Sequence, residues 1–262
     1  MSKNSIVDKY QGFIFDLDGT IYLEEKIIDK ADSVINQIKQ LKKKIAFVSN
    51  KTTGTAEEYY KFLKSNSINV EQGEIVTSTE VIKKYLQNDH QGKCFFAIAE
   101  DKFIDEIKNA GLQFDNDPSI IDLIIVTLDR TLSYSKLEVA ARALDNGAMF
   151  LAANIDNTCP VENGEILDAG STISALEKRT GRTLQQYFGK PSKLILEEAL
   201  KIINTDSKNC LIVGDRLETD IAMGNYFGID TALVYTGVTK KINENTNYKP
   251  TYNLKSIYDL IQ

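Results

Sequence analysis

Short apolar runs that alternate with amphipathic helical patterns predict an α/β fold built on parallel strands with covering helices. Gly12-Phe13-Ile14-Phe15-Asp16, Ile45-Ala46-Phe47-Val48 and Cys210-Leu211-Ile212-Val213 are apolar almost throughout, the pattern of strands buried on both faces. Between such runs the apolar residues fall at helical spacing, as in Ala31, Val34, Ile35, Ile38 and Leu41. The predicted strands also end on polar residues: Asp16, Ser49 with Asn50, and Asp215. Sheets of this kind bind ligands at the carboxyl ends of their strands.

Each element has its own local signal. Asp29 is the candidate cap of the helix that starts near Ala31, and Thr55-Ala56-Glu57-Glu58 fits a capping box opening a helix that buries Tyr59, Phe62 and Leu63. Pro191 reads as the first residue of a helix whose buried stripe is Leu196, Ala199, Leu200 and Ile203. A helix over about 219–227 is expected to stop at Gly228, followed by a strand over 231–235. The middle third repeats the rhythm, with strands over 95–99, 123–126 and 149–153 and a helix over 135–144.

Composition narrows the function. The chain has 262 residues, 42% hydrophobic and 26% charged, with a net charge of −6, which argues against general nucleic-acid binding. No apolar run approaches the roughly 18 residues of a membrane span. The start MSKNSIVDKY has no apolar signal-like core, and three widely spaced cysteines read as reduced thiols; both point to the cytoplasm. The one histidine, His90, lies in a polar loop-like stretch, so a multi-His zinc site cannot be built and a His-based triad is not expected. Catalysis is left to carboxylates, lysine, hydroxyls and a metal.

Four elements carry that chemistry. In Asp16-Leu17-Asp18-Gly19-Thr20 the two acids are two apart, so an extended backbone aims both carboxylates to one side. One can attack phosphorus while the other handles the leaving-group proton, and Gly19 permits the turn. Ser49 and Asn50 offer neutral donors at a strand end. Lys190, before a predicted helix start, suits a phosphate oxygen. Val213-Gly214-Asp215-Arg216-Leu217-Glu218-Thr219-Asp220 supplies carboxylates for Mg²⁺, a hard cation that prefers oxygen.

In this order, the four elements resemble the motifs of the haloacid dehalogenase (HAD) superfamily. Leu128-Asp129-Arg130-Thr131-Leu132-Ser133-Tyr134-Ser135-Lys136-Leu137, Gly147 to Asp156, Ala169-Gly170-Ser171 and Gly181-Arg182 with Gly189-Lys190-Pro191 are similar to the NagD-like, class IIA capped phosphatases. The resemblance implies a Rossmann-like parallel-sheet core at 1–80 and 185–262, interrupted by an inserted α/β cap of the class IIA type at 81–184. It implies Asp16 as nucleophile, Asp18 as general acid/base, and Ser49, Asn50 and Lys190 as phosphate-binding residues. Mg²⁺ would be held by Asp16, the Asp18 carbonyl, Asp215 and Asp220.

The same resemblance places Asn154, Asp156 and Tyr134 on the substrate side of the cap and allows a homodimer through it. Where the family commonly reads Thr-Asn-Asn, this chain reads Ser49-Asn50-Lys51, and Lys51 is expected to favour a doubly anionic substrate. Leu167-Asp168 stands where Pro-Gly is commoner. The implied activity is hydrolysis of a small phosphorylated metabolite such as a sugar phosphate, nucleotide, phosphoglycolate, glycerol phosphate or pyridoxal phosphate. A phosphotransferase or mutase would use the same scaffold with an alcohol in place of water. A silent phosphate-binding relative would lack one of Asp16, Asp18, Lys190 or Asp215, and all four are present.

Overall fold

A computed structural model describes residues 5–161, 164–242 and 246–262, and its chain divides into two compact units. The first comprises residues 1–49, 56–76 and 190–262; the second comprises 50–55 and 77–189. The divisions fall at 76/77 and 189/190 rather than at 80/81 and 184/185. Gln186–Tyr187 is a strand paired with Met149–Ala152, so hydrogen bonding ties the segment after 185 to the second unit.

The first unit is organised on a six-stranded sheet in the order Tyr252–Leu254, Asp230–Val234, Cys210–Gly214, Gly12–Asp16, Lys44–Ser49, Ile75–Thr77. The first five run parallel. Gly12–Asp16 is buried at every position because helices cover both faces, and its Phe13 and Phe15 rings stack at 5.9 Å. Chain order matters for function: from the central strand Gly12–Asp16 the chain moves to one neighbour, Lys44–Ser49, and later returns to the other, Cys210–Gly214. Parallel sheets open a crevice at such a reversal.

The helix Ala31–Gln40 buries Ala31, Val34, Ile35 and Ile38, as its spacing predicts. Its start corrects one expectation: Lys30, not Asp29, occupies the cap position, in left-handed conformation (φ 62°). Pro191 is also not helical. The helix runs Lys193–Ile203, and Ser192 Oγ caps it by accepting from the Leu194 amide at 3.0 Å. The continuous helix expected from 219 is instead a wide π-type turn, Leu217–Ile221, leading into Ala222–Phe227. Gly228 ends it with φ 68°, as anticipated.

The second unit has a five-stranded parallel sheet in the order Gln186–Tyr187, Met149–Ala152, Leu123–Val126, Cys94–Ile98, Gln113–Phe114. Helices Ser78–Asp89, Asp101–Asn109, Tyr134–Asp145 and Ala169–Thr180 alternate with its strands. An antiparallel hairpin, Thr158–Val161 with Gly164–Leu167, was not legible from the sequence. Its own core includes Phe96, Ile98, Ile124, Val126, Leu144, Phe150 and Leu176. His90 caps the C-terminus of Ser78–Asp89, and all three cysteines are free thiols. Among the described residues, no helix is long and apolar enough to cross a membrane.

Candidate active site

Register explains how distant segments meet in the first unit. Asp16 pairs with Val48, so Ser49 lies one step beyond it on the neighbouring strand. On the other side Phe15 pairs with Val213, which brings Gly214 and then Asp215 to the same end of the sheet. The π-type turn carries Asp220 back over that end, where its Oδ2 accepts from the Arg216 amide at 3.1 Å. Asp16, Ser49, Lys190, Asp215 and Asp220 are all at least 94% buried. Asp18 is half-buried.

Lys190 Nζ donates to Asp16 Oδ1 at 2.5 Å and to Asp220 Oδ1 at 2.7 Å. One carboxylate oxygen from each of Asp16, Asp215 and Asp220 lies within 4.8 Å of the others. Three buried acids thus face one ammonium, which with all three ionised would be an excess of two negative charges. Burial pushes the Asp16 carboxyl well above its ordinary value; Lys190 opposes this, and Asp220 and Asp215 add to it. Asp215 is pushed up to about 7, first by burial and then by Asp220, against the Val238 amide. Burial alone would lower the Lys190 ammonium, but the Asp16 and Asp220 carboxylates outweigh it and hold Lys190 raised and charged.

The donor set fits a hard divalent cation. Two positive charges would neutralise the excess, and all three donors are carboxylate oxygens. Asp16 Oδ2 is buried with no hydrogen-bond partner. An orphaned buried carboxylate oxygen is costly, about 1–3 kcal/mol or more. A cation or an electrophile is the partner that would offset it.

The turn after Asp16 is held by backbone bonds, with Ile21 N donating to Leu17 O at 2.9 Å and Gly19 N to Tyr22 O at 2.7 Å. Gly19 adopts φ +85°, and a Cβ there would lie 2.5 Å from Asp215 Oδ2. Glycine is needed for both reasons. The loop after Asp230–Val234 was missed in the sequence. Its Val238 amide donates to Asp215 Oδ2 at 2.5 Å, and Thr236 Oγ1 donates to Gly19 O at 2.6 Å. The available signal was a glycine, Gly237, shortly after a predicted strand.

The remaining sequence candidates belong to the second unit. Asn50 and Lys51 are half-buried, and Asn50 Nδ2 donates to Asp156 Oδ2 at 2.8 Å. Asn154 is 2% exposed, and its amide is committed to Thr127, Asp156 and Asp168. Tyr134 opens its helix and is 78% exposed. Asp168, half of the pair that stands in place of Pro-Gly, caps Ala169–Thr180 by accepting from the Ala169 amide at 2.6 Å.

Known proteins are similar to the chain in both sequence and architecture. A family model for haloacid dehalogenase-like hydrolases matches residues 13–113, and a HAD-hydrolase-like model matches 187–260. Sugar-phosphatase AraL of Bacillus subtilis is 33% identical over 95% of this chain and 91% of its own length. A p-nitrophenyl phosphatase from Archaeoglobus fulgidus superposes with a TM-score of 0.88 at 32% identity, covering 96% of this chain and 98% of that one. A glycerol phosphate phosphatase from Mycobacterium tuberculosis, in complex with magnesium, gives 0.85 at 27% identity, over 99% of this chain and 78% of that one.

Proposed function

The chain is a phosphatase of the haloacid dehalogenase superfamily, in its NagD-like capped group, and we propose that it hydrolyses a small phosphate monoester through a phosphoryl–Asp16 intermediate, with Mg²⁺ held by Asp16, the Asp18 carbonyl, Asp215 and Asp220. The observation that carries this reading is the buried cluster in which Lys190 bridges Asp16 and Asp220 while Asp16 Oδ2 is left without a hydrogen bond.

A carboxylate oxygen of Asp16 attacks phosphorus as the bond to the ester oxygen breaks. The departing oxygen takes a proton from Asp18, which is then ionised and accepts a proton from the water that attacks phosphorus in the second half-reaction. Release of inorganic phosphate regenerates Asp16. Lys190, held by Asp220, presents positive charge to the phosphoryl oxygens, and Ser49 and Asn50 donate hydrogen bonds to them. A bound divalent cation supplies charge neutralisation between the dianionic substrate and the acids. Because the acids and Lys190 are held in place before substrate arrives, little reorganisation accompanies the chemical step.

The second unit is read as the cap that selects the leaving group, with Lys51 and Tyr134 as its substrate-facing candidates. Names of similar proteins support small phosphorylated metabolites, including sugar phosphates and glycerol phosphate, with nitrophenyl phosphate as a surrogate. A cytoplasmic setting fits three free thiols. The test is turnover of p-nitrophenyl phosphate by wild type and Asp16→Asn, each with EDTA and with added Mg²⁺. Wild type should work only with Mg²⁺ and the variant in neither condition. Substantial Mg²⁺-dependent turnover by Asp16→Asn refutes the covalent role. A panel of phosphorylated metabolites then ranks the substrates.

A further inference from the structure

Within the second unit a chain of buried and half-buried polar side chains leads to Asn50. Thr127 Oγ1 donates to Asn154 Oδ1 at 3.0 Å, and Thr52 Oγ1 contacts Thr127 Oγ1 at 2.5 Å. The Thr127 proton is used on Asn154, so Thr52 must donate to Thr127. Asn154 Nδ2 then donates in two directions, to Asp168 Oδ1 at 3.0 Å and to Asp156 Oδ2 at 3.1 Å. Asp156 Oδ2 also accepts from Asn50 Nδ2 at 2.8 Å.

The orientation of the Asn154 amide is therefore determined. Flipping it would aim its carbonyl oxygen at two carboxylate oxygens, acceptor against acceptor. Thr127 and Asn154 are at least 98% buried, and water does not compete there. Asp156 is clamped through its backbone as well, since its carbonyl accepts from the Gly170 amide at 2.8 Å. The Asn50 carbonyl in turn accepts from Ser78 Oγ at 3.1 Å.

We propose that Asp156 is a positioning residue for Asn50: its carboxylate, itself aimed by Asn154, fixes the rotamer and the amide orientation of Asn50. The inference rests on the reading of Asn50 as a donor to the transferring phosphoryl group. It assigns Asp156 to phosphoryl-group binding, common to all substrates, rather than to recognition of any one leaving group. A donor displaced by a fraction of an ångström loses much of its contribution in the transition state.

A double-mutant cycle on the full chain tests it, using Asp156→Ala, Asn50→Ala and their combination. Kinetics are measured on p-nitrophenyl phosphate, a sugar phosphate and a nucleoside monophosphate. Asp156→Ala should lower kcat/KM by on the order of 10- to 100-fold, by the same factor on each substrate. The double variant should be no worse than Asn50→Ala alone. Asp156→Asn, which keeps the shape and an acceptor oxygen, should recover most of the loss. Additive losses, or losses that differ between leaving groups, overturn the proposal.

A second readout does not depend on turnover. The Asn50 side-chain amide protons, followed by NMR, should be slow to exchange in wild type and Asp156→Asn and fast in Asp156→Ala. If Asp156→Ala leaves them unchanged, the proposal fails whatever the enzyme's activity. Failure of the reading above would instead appear as wild type without Mg²⁺- and Asp16-dependent turnover.

Discussion

A methyl group on Gly237 would stand 1.9 Å from Oδ2 of Asp215. That oxygen also accepts from the adjoining Val238 amide, so the loop after the strand Asp230–Val234 presses directly on a candidate metal ligand. Gly237→Ala cannot be accommodated without moving the Asp215 carboxylate or the loop that holds it. Removing partners that orient a ligand typically costs roughly 10- to 100-fold in metal affinity or activity. We expect Gly237→Ala to fold, to need more Mg²⁺ for half-maximal activity, and to lose roughly that factor at fixed Mg²⁺. A Mg²⁺ titration of activity matching wild type would show that Asp215 is not held this way.

The crowded acids should also govern stability without metal. The folded Asp215 carboxyl is raised from its ordinary 3.8 to about 7, chiefly by burial. A raised carboxyl pKa means that the folded state binds the proton more tightly, so this group's contribution to stability is full at low pH and is lost as pH rises from about 4 through 7. In EDTA, Asp215→Asn should therefore melt above wild type at pH 8, and the gap should narrow towards pH 5. A gap independent of pH, measured by thermal unfolding, would contradict the charge argument.

Asn154 offers a test of polar satisfaction. Asn154→Ala removes a donor from Asp156 and Asp168 and an acceptor from Thr127, and should cost about 1–3 kcal/mol. Asn154→Asp keeps the shape but places a third acid against two others, so it should cost more, the reverse of what side-chain volume predicts. The melting temperatures of the two variants, compared at pH 8, decide between charge and packing.

The proposed role of Lys51 is tested by substrate charge. If its ammonium favours a doubly anionic substrate, Lys51→Ala should lower kcat/KM for a bis-phosphorylated sugar several-fold more than for its mono-phosphorylated counterpart. The difference should shrink as salt is added, as expected for a solvent-accessible charge. Unchanged relative activity across the two substrates sinks the idea.

Much of this was legible because the relevant signals are local. Gly12-Phe13-Ile14-Phe15-Asp16 reads as a doubly buried strand ending on an acid, and the structure has that strand from Gly12 to Asp16. Leu123–Val126 likewise has the bounds its apolar run suggests. Helix starts were less legible. Asp29 and Pro191 have good local credentials as cap and first residue, yet Lys30 and Ser192 hold the cap positions. Entry angles are set by what the helix packs against, which a short window does not contain. The turn Leu217–Ile221 is wider than an α-helical one, and no propensity in its sequence announces that.

Taken alone, the sequence determined the α/β class, the buried strands, and the residue types able to move a phosphoryl group without histidine. These follow from hydrophobic periodicity and from the few side chains that can serve as nucleophile, acid or hard-metal ligand. Only the tertiary structure decided which groups are coupled. Lys190 lies 174 residues from Asp16 and 30 from Asp220, yet one ammonium serves both. Gly237 constrains Asp215, and Asp156 meets Asn50 across 106 residues. Such pairings depend on strand order and register, which long-range hydrogen bonding and burial set together. Local patterns fix which residues can react; the fold fixes how two distant acids come to share one ammonium.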